Sequence, residues 1–412
     1  MRYFVESYGC TMNYGEGEEL AERMDALGHI RVLSADEADI VILNTCTVVD
    51  TTEKRMIKRM NELKAAGKQV IVTGCMAKVQ AGRVMVRLPG SLIIPPEDYD
   101  GFSDAVSKMY GCGTPIVQKR SPVTAIIPIA QGCRGNCTYC ITRFARGTLR
   151  SYSPEGIKER FDRFIDSGVK EVLITAQDTG CYGRDIGTDL GDLIRKLLEK
   201  DGEYRIRIGM MNPNSLRPVL NSVLDVFEDE RIYRFLHIPV QSGSDHVLDM
   251  MSRHYTSEDF FSLIDAIRER YPDMSIATDL ISGFPGESNE DHEESVTLIR
   301  RLRADTVNIT RFSPRPGTEA FGMPQINGRI SKERSTELTE VKNATENDVN
   351  TNMIGRTYRA LVSETSADGS VIARTGNYRP VVIKEDIPLG TFIDATVTDC
   401  RPTYLLGKST LF

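Results

Sequence analysis

The sequence predicts an α/β multidomain protein with three parts: an N-terminal parallel α/β sheet domain over 1–112, a central (β/α)6 partial barrel over 120–350, and a small C-terminal β-barrel over 353–412. Three observations carry this. Apolar runs alternate with amphipathic helical patterns through the first part, as in a parallel sheet. After a break rich in turn residues the same alternation resumes for six further strands. Beyond Gly355 it gives way to five period-2 runs with no helix between them, the pattern of an oligonucleotide-binding type barrel.

In the first part "RYFVES", "DIVILN" and "KQVIVTG" read as strands, and "GEGEELAERMDALG" and "TTEKRMIKRMNELKAAG" as helices stopped by Gly28 and Gly67. Each strand is followed by a cysteine: Cys10, Cys46 and Cys75. The carboxyl ends of parallel strands share one edge, so thiols far apart in sequence can converge there. The competing reading, three small buried apolar residues, would need the strand-then-Cys pattern to recur by chance. "GCGTPIVQKRSPV" has no clear periodicity and marks a linker near 110–122.

The central strands are "AIIPIA", "EVLITA", "RIRIGM", "FLHIPV", "SIATDLIS" and "TVNITRF", with helical patterns between them and the polar helix "SKERSTELTEVKNATENDVN" closing the part. The final strands are "RTYRALVSE", "GSVIART", "YRPVVIKE", "GTFIDATVTD" and "TYLLGKS", where seven Lys or Arg stand against six Asp or Glu over 353–412. That balance alone hardly favours nucleic acid. Tyr358 and Tyr378 are candidate stacking platforms for bases, although aromatics facing inward are normal barrel core.

The chain of 412 residues is 40% hydrophobic and 26% charged, and no apolar run approaches the roughly 20 residues of a membrane span. The opening "MRYFVESYGC" reads as a strand rather than a signal peptide, so a cytoplasmic setting is expected. Nine cysteines in such a chain point to metal ligands or reduced thiols rather than disulfides. The net charge of −7 argues against a surface that binds nucleic acid everywhere, yet Lys119 to Arg150 holds six Lys or Arg and no acid.

That basic stretch brackets "CRGNCTYC", in which Cys133, Cys137 and Cys140 stand at C-x3-C-x2-C without a fourth cysteine. Full protein ligation of a [4Fe-4S] cluster takes four thiolates, so three leave one iron open to a small molecule. The motif follows "AIIPIA", which puts it at the mouth of a barrel rather than in its wall. A zinc knuckle or a chance triplet is the bland alternative. Of the remaining cysteines, Cys112 lies in the linker, Cys400 ends a barrel strand, and Cys181 is expected to be an unligated thiol.

C-x3-C-x2-C with an aromatic before the last cysteine, here Tyr139, resembles the signature of radical S-adenosylmethionine (SAM) enzymes. The layout resembles more narrowly the radical SAM methylthiotransferases, on the blocks "YGCTMNYGEGE", "NTCTV", "TGCMA", "CRGNCTYCITRFARG", "AQDTGCYGRD", "QSGSDHVLDMM" and "ISGFPGE". The first and fifth look most like the archaeal and eukaryotic branch, which converts N6-threonylcarbamoyladenosine at position 37 of tRNA to its 2-methylthio form. Other branches act on isopentenyladenosine or on an aspartate of a ribosomal protein. The resemblance implies two [4Fe-4S] clusters: a radical SAM cluster on Cys133, Cys137 and Cys140, and an auxiliary cluster on Cys10, Cys46 and Cys75. It also implies SAM as cofactor, an electron donor and a sulfur donor, and a C-terminal TRAM domain that binds RNA.

Further residues follow from the resemblance. Gln177 and Asp178 end the second barrel strand, where radical SAM proteins hold the SAM amine, although no Gly-Gly-Glu is present. Gln241 and Ser242 are placed to reach the ribose, and Gly283 and Arg311 lie near the mouth. Arg134, Arg143, Arg146 and Arg150 are expected to meet tRNA phosphates around the anticodon loop, whose bases can be splayed into a pocket. A rival from another class is a non-catalytic iron–sulfur RNA-binding protein, which would bind tRNA but release no 5′-deoxyadenosine from SAM.

Overall fold

A computed structural model describes residues 1–115 and 123–410, so part of the expected linker, with Lys119 and Arg120, lies outside the described residues. The chain divides into two compact units. One takes in the described residues of Met1–Arg120 with Gln131–Arg150 and Arg315–Thr318; the other takes in those of Ser121–Ala130, Ser151–Pro314 and Glu319–Phe412.

The first unit is built on a parallel sheet in the order Ile30–Arg31, Arg2–Ser7, Ile40–Thr45, Gln69–Gly74, Leu92–Ile93. The three inner strands are those the apolar runs predict. The two edge strands have only two residues each, too short to leave a periodic signal. Ile40–Thr45 is buried along its whole length, as a central parallel strand covered on both faces must be. Val41 and Leu43 pack against Met56, Met60 and Leu63 of the Asp50–Ala65 helix. Ile40 and Ile42 turn to the other face, against Leu20 and Met24 of the Thr11–Ala26 helix. Gly28 and Gly67 follow these two helices at φ +77° and +65°. The strand order reverses between Arg2–Ser7 and Ile40–Thr45, and the crevice at such a switch point is where open α/β sheets bind ligands.

The second unit contains six parallel strands in chain order: Thr124–Pro128, Glu171–Thr175 and Arg205–Ile208 in one sheet, Phe235–His237, Ser275–Ser282 and Thr306–Arg311 in another. Tyr233 N–H donates to Ile206 O at 2.9 Å and Met211 N–H to His237 O at 2.9 Å, which carries the wall from one sheet to the next. This is the predicted partial barrel. Four of its helices start on side-chain caps, at Ser153, Asp189, Thr256 and Ser288, the last two with full capping boxes through Asp259 and Asp291. The polar helix Gly328–Thr351 follows the last strand and is tied to it by Val307 N–H donating to Glu346 Oε1 at 2.7 Å. Five strands then close a small barrel around Val362, Ala373, Val381, Ile393 and Val397. Among the described residues no helix is long and apolar enough to cross a membrane.

The two aromatics expected to stack on RNA are otherwise engaged. Tyr358 packs against the core of the small barrel. Tyr378, in a turn at φ +65°, sits with its ring centroid 4.8 Å from that of Tyr233 and 5.1 Å from that of Phe235, with the Arg207 and Arg374 guanidinium groups within 5.1 Å and 4.8 Å of it. These contacts hold the half-buried ring in place within the second unit. Tyr378→Ala is expected to cost about 3 kcal/mol of stability through the lost aromatic packing, read as a lowered urea midpoint of the second unit.

Candidate functional site

Both cysteine triplets belong to the first unit. Cys10 caps the N-terminus of the Thr11–Ala26 helix, Cys46 follows Ile40–Thr45 directly, and Cys75 opens the short helix Cys75–Val79. All three therefore lie at the carboxyl edge of the sheet. The backbone is shaped to bring them there. A Cβ on Gly9 would lie 2.8 Å from Cys46 Sγ, so the turn before Cys10 rests on the Cys46 side chain. Gly74, at φ +78°, leaves no room either: a Cβ would lie 2.3 Å from Thr45 O. Gly74→Ala is accordingly expected to destabilise the first unit by about 2 kcal/mol or more, detected as earlier thermal unfolding and as iron lost from the reconstituted protein.

Burial pushes the Cys46 thiol up to about 12, and the neighbouring Cys75 and Cys10 push it in the same direction. Burial also raises Cys75, against the pull of the nearby Arg146 guanidinium. Cys46 and Cys75 thus resist ionisation, and thiolates gathered at one edge need a cationic group between them before they become ligands. Around them four buried polar atoms have no hydrogen-bond partner: Asn44 Oδ1, Thr73 Oγ1, Glu16 Oε2 and Arg146 Nε. Buried polar groups are almost always satisfied, so an edge with several orphans fits a bound polar or ionic group. Among the described residues no three His, Cys, Asp or Glu converge on a single metal ion. A four-iron cluster is wider than one ion and takes each thiolate on a separate iron.

Cys133, Cys137 and Cys140 lie on the loop after Thr124–Pro128, partly exposed. Gly132 is at φ +81°, and a Cβ there would lie 2.0 Å from Thr148 O, so the loop closes on itself before its first thiol. Cys133 N–H donates to Gly147 O at 3.2 Å and Cys140 N–H to Cys137 O at 3.1 Å. Gly135 N–H points at Cys133 Sγ, 3.2 Å away, and a Cβ on Gly135 would meet Cys133 Sγ and Cys137 Sγ at 3.4 and 3.8 Å. Backbone donors aimed at sulfur are what an iron–sulfur site uses to stabilise its thiolates.

Comparison with known proteins bears on the whole chain. Residues 127–299 match the Radical SAM superfamily, 2–94 match Uncharacterized protein family UPF0004, and 351–410 match the TRAM domain. The probable threonylcarbamoyladenosine tRNA methylthiotransferase of Pyrococcus abyssi is 41% identical, covering 99% of each chain. The threonylcarbamoyladenosine tRNA methylthiotransferase of Drosophila melanogaster is 35% identical over 99% of this chain and 77% of its own.

This chain belongs to the threonylcarbamoyladenosine tRNA methylthiotransferase family.

The methylthiotransferase also shares its fold with more distant radical SAM proteins. The radical SAM methyltransferase TsrM from Kitasatospora setae aligns with TM-score 0.56 at 13% identity, over 77% of this chain and 76% of its own. The cobalamin-dependent radical enzyme OxsB gives 0.53 at 11% identity, over 84% and 56%. As a radical SAM enzyme the methylthiotransferase takes SAM and [4Fe-4S] iron–sulfur as cofactors.

The barrel-end residues of the methylthiotransferase divide into two groups. Asp178 is 2% exposed, and its carboxylate accepts from Gly180 N–H at 3.2 Å, Cys181 Sγ at 3.2 Å, Asn212 N–H at 3.2 Å, Asn212 Nδ2 at 2.8 Å and Ser215 Oγ at 2.7 Å. A carboxylate has about four lone-pair sites, so none is left for a SAM amine. The expected cofactor role for Asp178 is corrected: it is a clamp for the loops after the second and third strands. Cys181 is the buried thiol of that clamp. Ser242 is 1% exposed and accepts from Ser244 N–H at 3.1 Å, turned inward rather than toward a ribose. The N–H of Gly283 is taken by Glu287 Oε2 at 2.9 Å, and a Cβ on Gly283 would lie 2.3 Å from Ser331 Oγ, so this glycine serves a close approach of the Gly328–Thr351 helix.

Gln177, Gln241 and Arg311 lie at or beyond the ends of the second, fourth and sixth strands. Gln177 is half-buried at the end of its strand and Arg311 is exposed at the end of the sixth. Gln241 holds φ +74°, a strained conformation for a residue with a side chain, fixed by its N–H to Asp279 O at 2.8 Å and its O from Ile281 N–H at 2.9 Å. Tyr139 is half-buried next to Cys140.

Of the four arginines expected on phosphate, Arg134 and Arg150 are exposed, Arg150 facing Asp100 at 3.1 Å, and Arg143 is half-buried over the Phe144 ring at 4.9 Å. Arg146 is the correction: its side chain is 1% exposed, paired with an equally buried Glu16. Arg315, Asp279, Asn308, Tyr14 and Phe144 escaped the sequence reading, whereas His237 already reads as a core or supporting strand residue. Arg315 donates to Val48 O at 3.0 Å and Glu53 Oε2 at 2.9 Å, bracing the segment after Cys46. His237 Nε2 and Asn308 Nδ2 both meet Asp279 Oδ1, at 2.9 and 2.8 Å, joining three neighbouring strands. Exposed aromatics Tyr14 and Phe144 follow closely after Cys10 and Cys140. Only the position of Tyr14 and Phe144 within cysteine blocks could have marked them in advance.

Proposed function

We propose that this chain converts N6-threonylcarbamoyladenosine at position 37 of tRNA to its 2-methylthio derivative, using two [4Fe-4S] clusters, one on Cys133, Cys137 and Cys140 and one on Cys10, Cys46 and Cys75. The observation that carries this is the pair of separate three-thiol sites in a chain 41% identical, end to end, to relatives bearing that activity in their name. Loaded with SAM, the radical SAM site supplies a 5′-deoxyadenosyl radical. That reagent suits the substrate, because C2 of adenine bears a C–H that acid–base groups cannot replace with sulfur.

The chain's own residues bind and orient. Gly135 N–H favours the thiolate of Cys133, while Asp178 holds the loops at the barrel's carboxyl end in one arrangement. Gln177, Tyr139, Gln241 and Arg311 are the SAM and substrate contacts in this reading. Arg134, Arg143 and Arg150 meet phosphate, and Tyr14 and Phe144 take the place of Tyr358 and Tyr378 as faces for an unstacked base. An electron donor and a sulfur donor complete the reaction, in the cytoplasm. In this reading the chain's domains run over 1–112, 120–350 and 353–412.

The test is mass spectrometry of nucleosides from tRNA carrying threonylcarbamoyladenosine, after anaerobic incubation with the reconstituted protein, SAM, reductant and sulfide. A methylthio mass gain on that nucleoside is expected. An unchanged nucleoside alongside accumulating 5′-deoxyadenosine would mean another substrate, and no 5′-deoxyadenosine at all would sink the radical reading.

A further inference from the structure

Arg146 is the last residue of the Thr142–Arg146 helix, which directly follows the C-x3-C-x2-C loop, yet its side chain is directed at the other triplet. Its Nη1 donates to Glu16 Oε1 and its Nη2 to Asn13 Oδ1 at 2.6 Å. Asn13 in turn donates from Nδ2 to Tyr8 O at 2.7 Å and Thr45 O at 2.8 Å, and accepts at its own carbonyl from Asn44 Nδ2 at 2.6 Å. These are the strand ends that carry Cys10 and Cys46. The positive guanidinium also favours the ionised form of the Cys75 thiol. Tyr99, whose hydroxyl accepts from Gly74 N–H at 3.0 Å, senses both Glu16 and Arg146.

Such a pair is costly to bury. Two charges removed from water do not repay their desolvation unless nearby groups use the field they create. Here each partner keeps one buried atom without a hydrogen bond, Arg146 Nε and Glu16 Oε2. The cation is also one side chain away from the triplet: the Asn13 Oδ1 that accepts from Arg146 Nη2 at 2.6 Å lies 3.9 Å from Cys10 Sγ, at an edge where three thiolates would concentrate negative charge.

We propose that Arg146 and Glu16 are opposed positioning residues of the auxiliary site, the cation stabilising its more reduced, more negative state and the carboxylate limiting that effect. The inference rests on the two-cluster reading above. The reduction potential of an iron–sulfur site follows net charge and hydrogen bonds to its sulfurs. The sign of each substitution is therefore determined: removal of the cation lowers the potential, and removal of the anion raises it.

The experiment uses the full chain with Cys133, Cys137 and Cys140 all changed to Ala, so that iron and sulfide report on the remaining triplet alone. Redox titration followed by electron paramagnetic resonance then compares Arg146→Lys, Arg146→Met, Glu16→Gln and the double Glu16→Gln/Arg146→Met. The expected pattern is a lower midpoint in Arg146→Met, a smaller fall in Arg146→Lys and a higher midpoint in Glu16→Gln. If Arg146→Met does not fold with its buried acid unpaired, the rise in Glu16→Gln and a return toward the parent value in the uncharged double variant carry the test. Equal midpoints in loaded proteins, or shifts of one sign for both residues, would overturn the inference while leaving the two-cluster reading intact. A triple-alanine parent that retains no iron overturns that reading, and the inference with it.

Discussion

Cys46→Ala is expected to abolish methylthio transfer while SAM is still cleaved to 5′-deoxyadenosine. Cys46 is a buried thiol between Cys10 and Cys75, at the switch point of the N-terminal sheet, and two thiols cannot do the work of three. The C-x3-C-x2-C loop keeps its own backbone bonds, Cys133 N–H to Gly147 O and Cys140 N–H to Cys137 O, none of which involves Cys46. Methylthio nucleoside should therefore fall by at least about 100-fold, more than the loss of a supporting residue around a metal site brings. 5′-Deoxyadenosine should change far less. Cys133→Ala is the matched control and should lose both products. Both quantities come from one anaerobic reaction analysed by mass spectrometry, and parallel loss of the two products in Cys46→Ala would refute separate sites.

Asp178→Ala is expected to destabilise the barrel unit by about 4 kcal/mol. The change removes five hydrogen bonds in a region where Asp178 itself is 2% exposed, and of their donors Ser215 Oγ keeps Asn212 O at 2.9 Å. The damage should reach further than the clamp. Asn212, held by Asp178, accepts from Arg253 Nη2 at 2.6 Å, and Arg253 reaches Pro239 O at 3.3 Å, near the end of the fourth strand. Loss of Asp178 thus loosens the ends of the second, third and fourth strands together. Asp178→Asn keeps the shape and part of the accepting capacity, and should cost about half as much. Urea unfolding followed by circular dichroism measures both. A midpoint for Asp178→Ala equal to that of the parent would show that the five bonds contribute nothing net.

The sequence-derived picture and the structure part company in instructive places. The strand-then-Cys repeat put three thiols on one sheet edge, and they are there, because strand direction alone fixes which end a following residue occupies. The helix read as starting at Gly15 begins instead at Thr11 with Cys10 as its cap. A Cβ on Gly17 would lie 2.3 Å from Ser7 Oγ, so this glycine marks close helix-to-strand packing rather than a turn. Sequence places Arg146 beside Arg134, Arg143 and Arg150 as a phosphate contact, but charge counts along a chain cannot show that Glu16 folds against it. Asp178 and Ser242 stand where ligand contacts were expected, and both are occupied by neighbouring loops.

By itself the sequence determined the order of the architectures, the two cysteine triplets and the family, since periodicity and spacing are local and survive being read one residue at a time. Only the tertiary structure decided which polar side chains remain available. Arg134 and Arg311 are exposed, whereas Arg146, Asp178, Ser242 and Tyr378 are committed to partners contributed by other parts of the chain. The physical reason is saturation: a buried donor, acceptor or ring face is used up by whatever folding brings against it, and that partner is named nowhere in its own stretch of sequence.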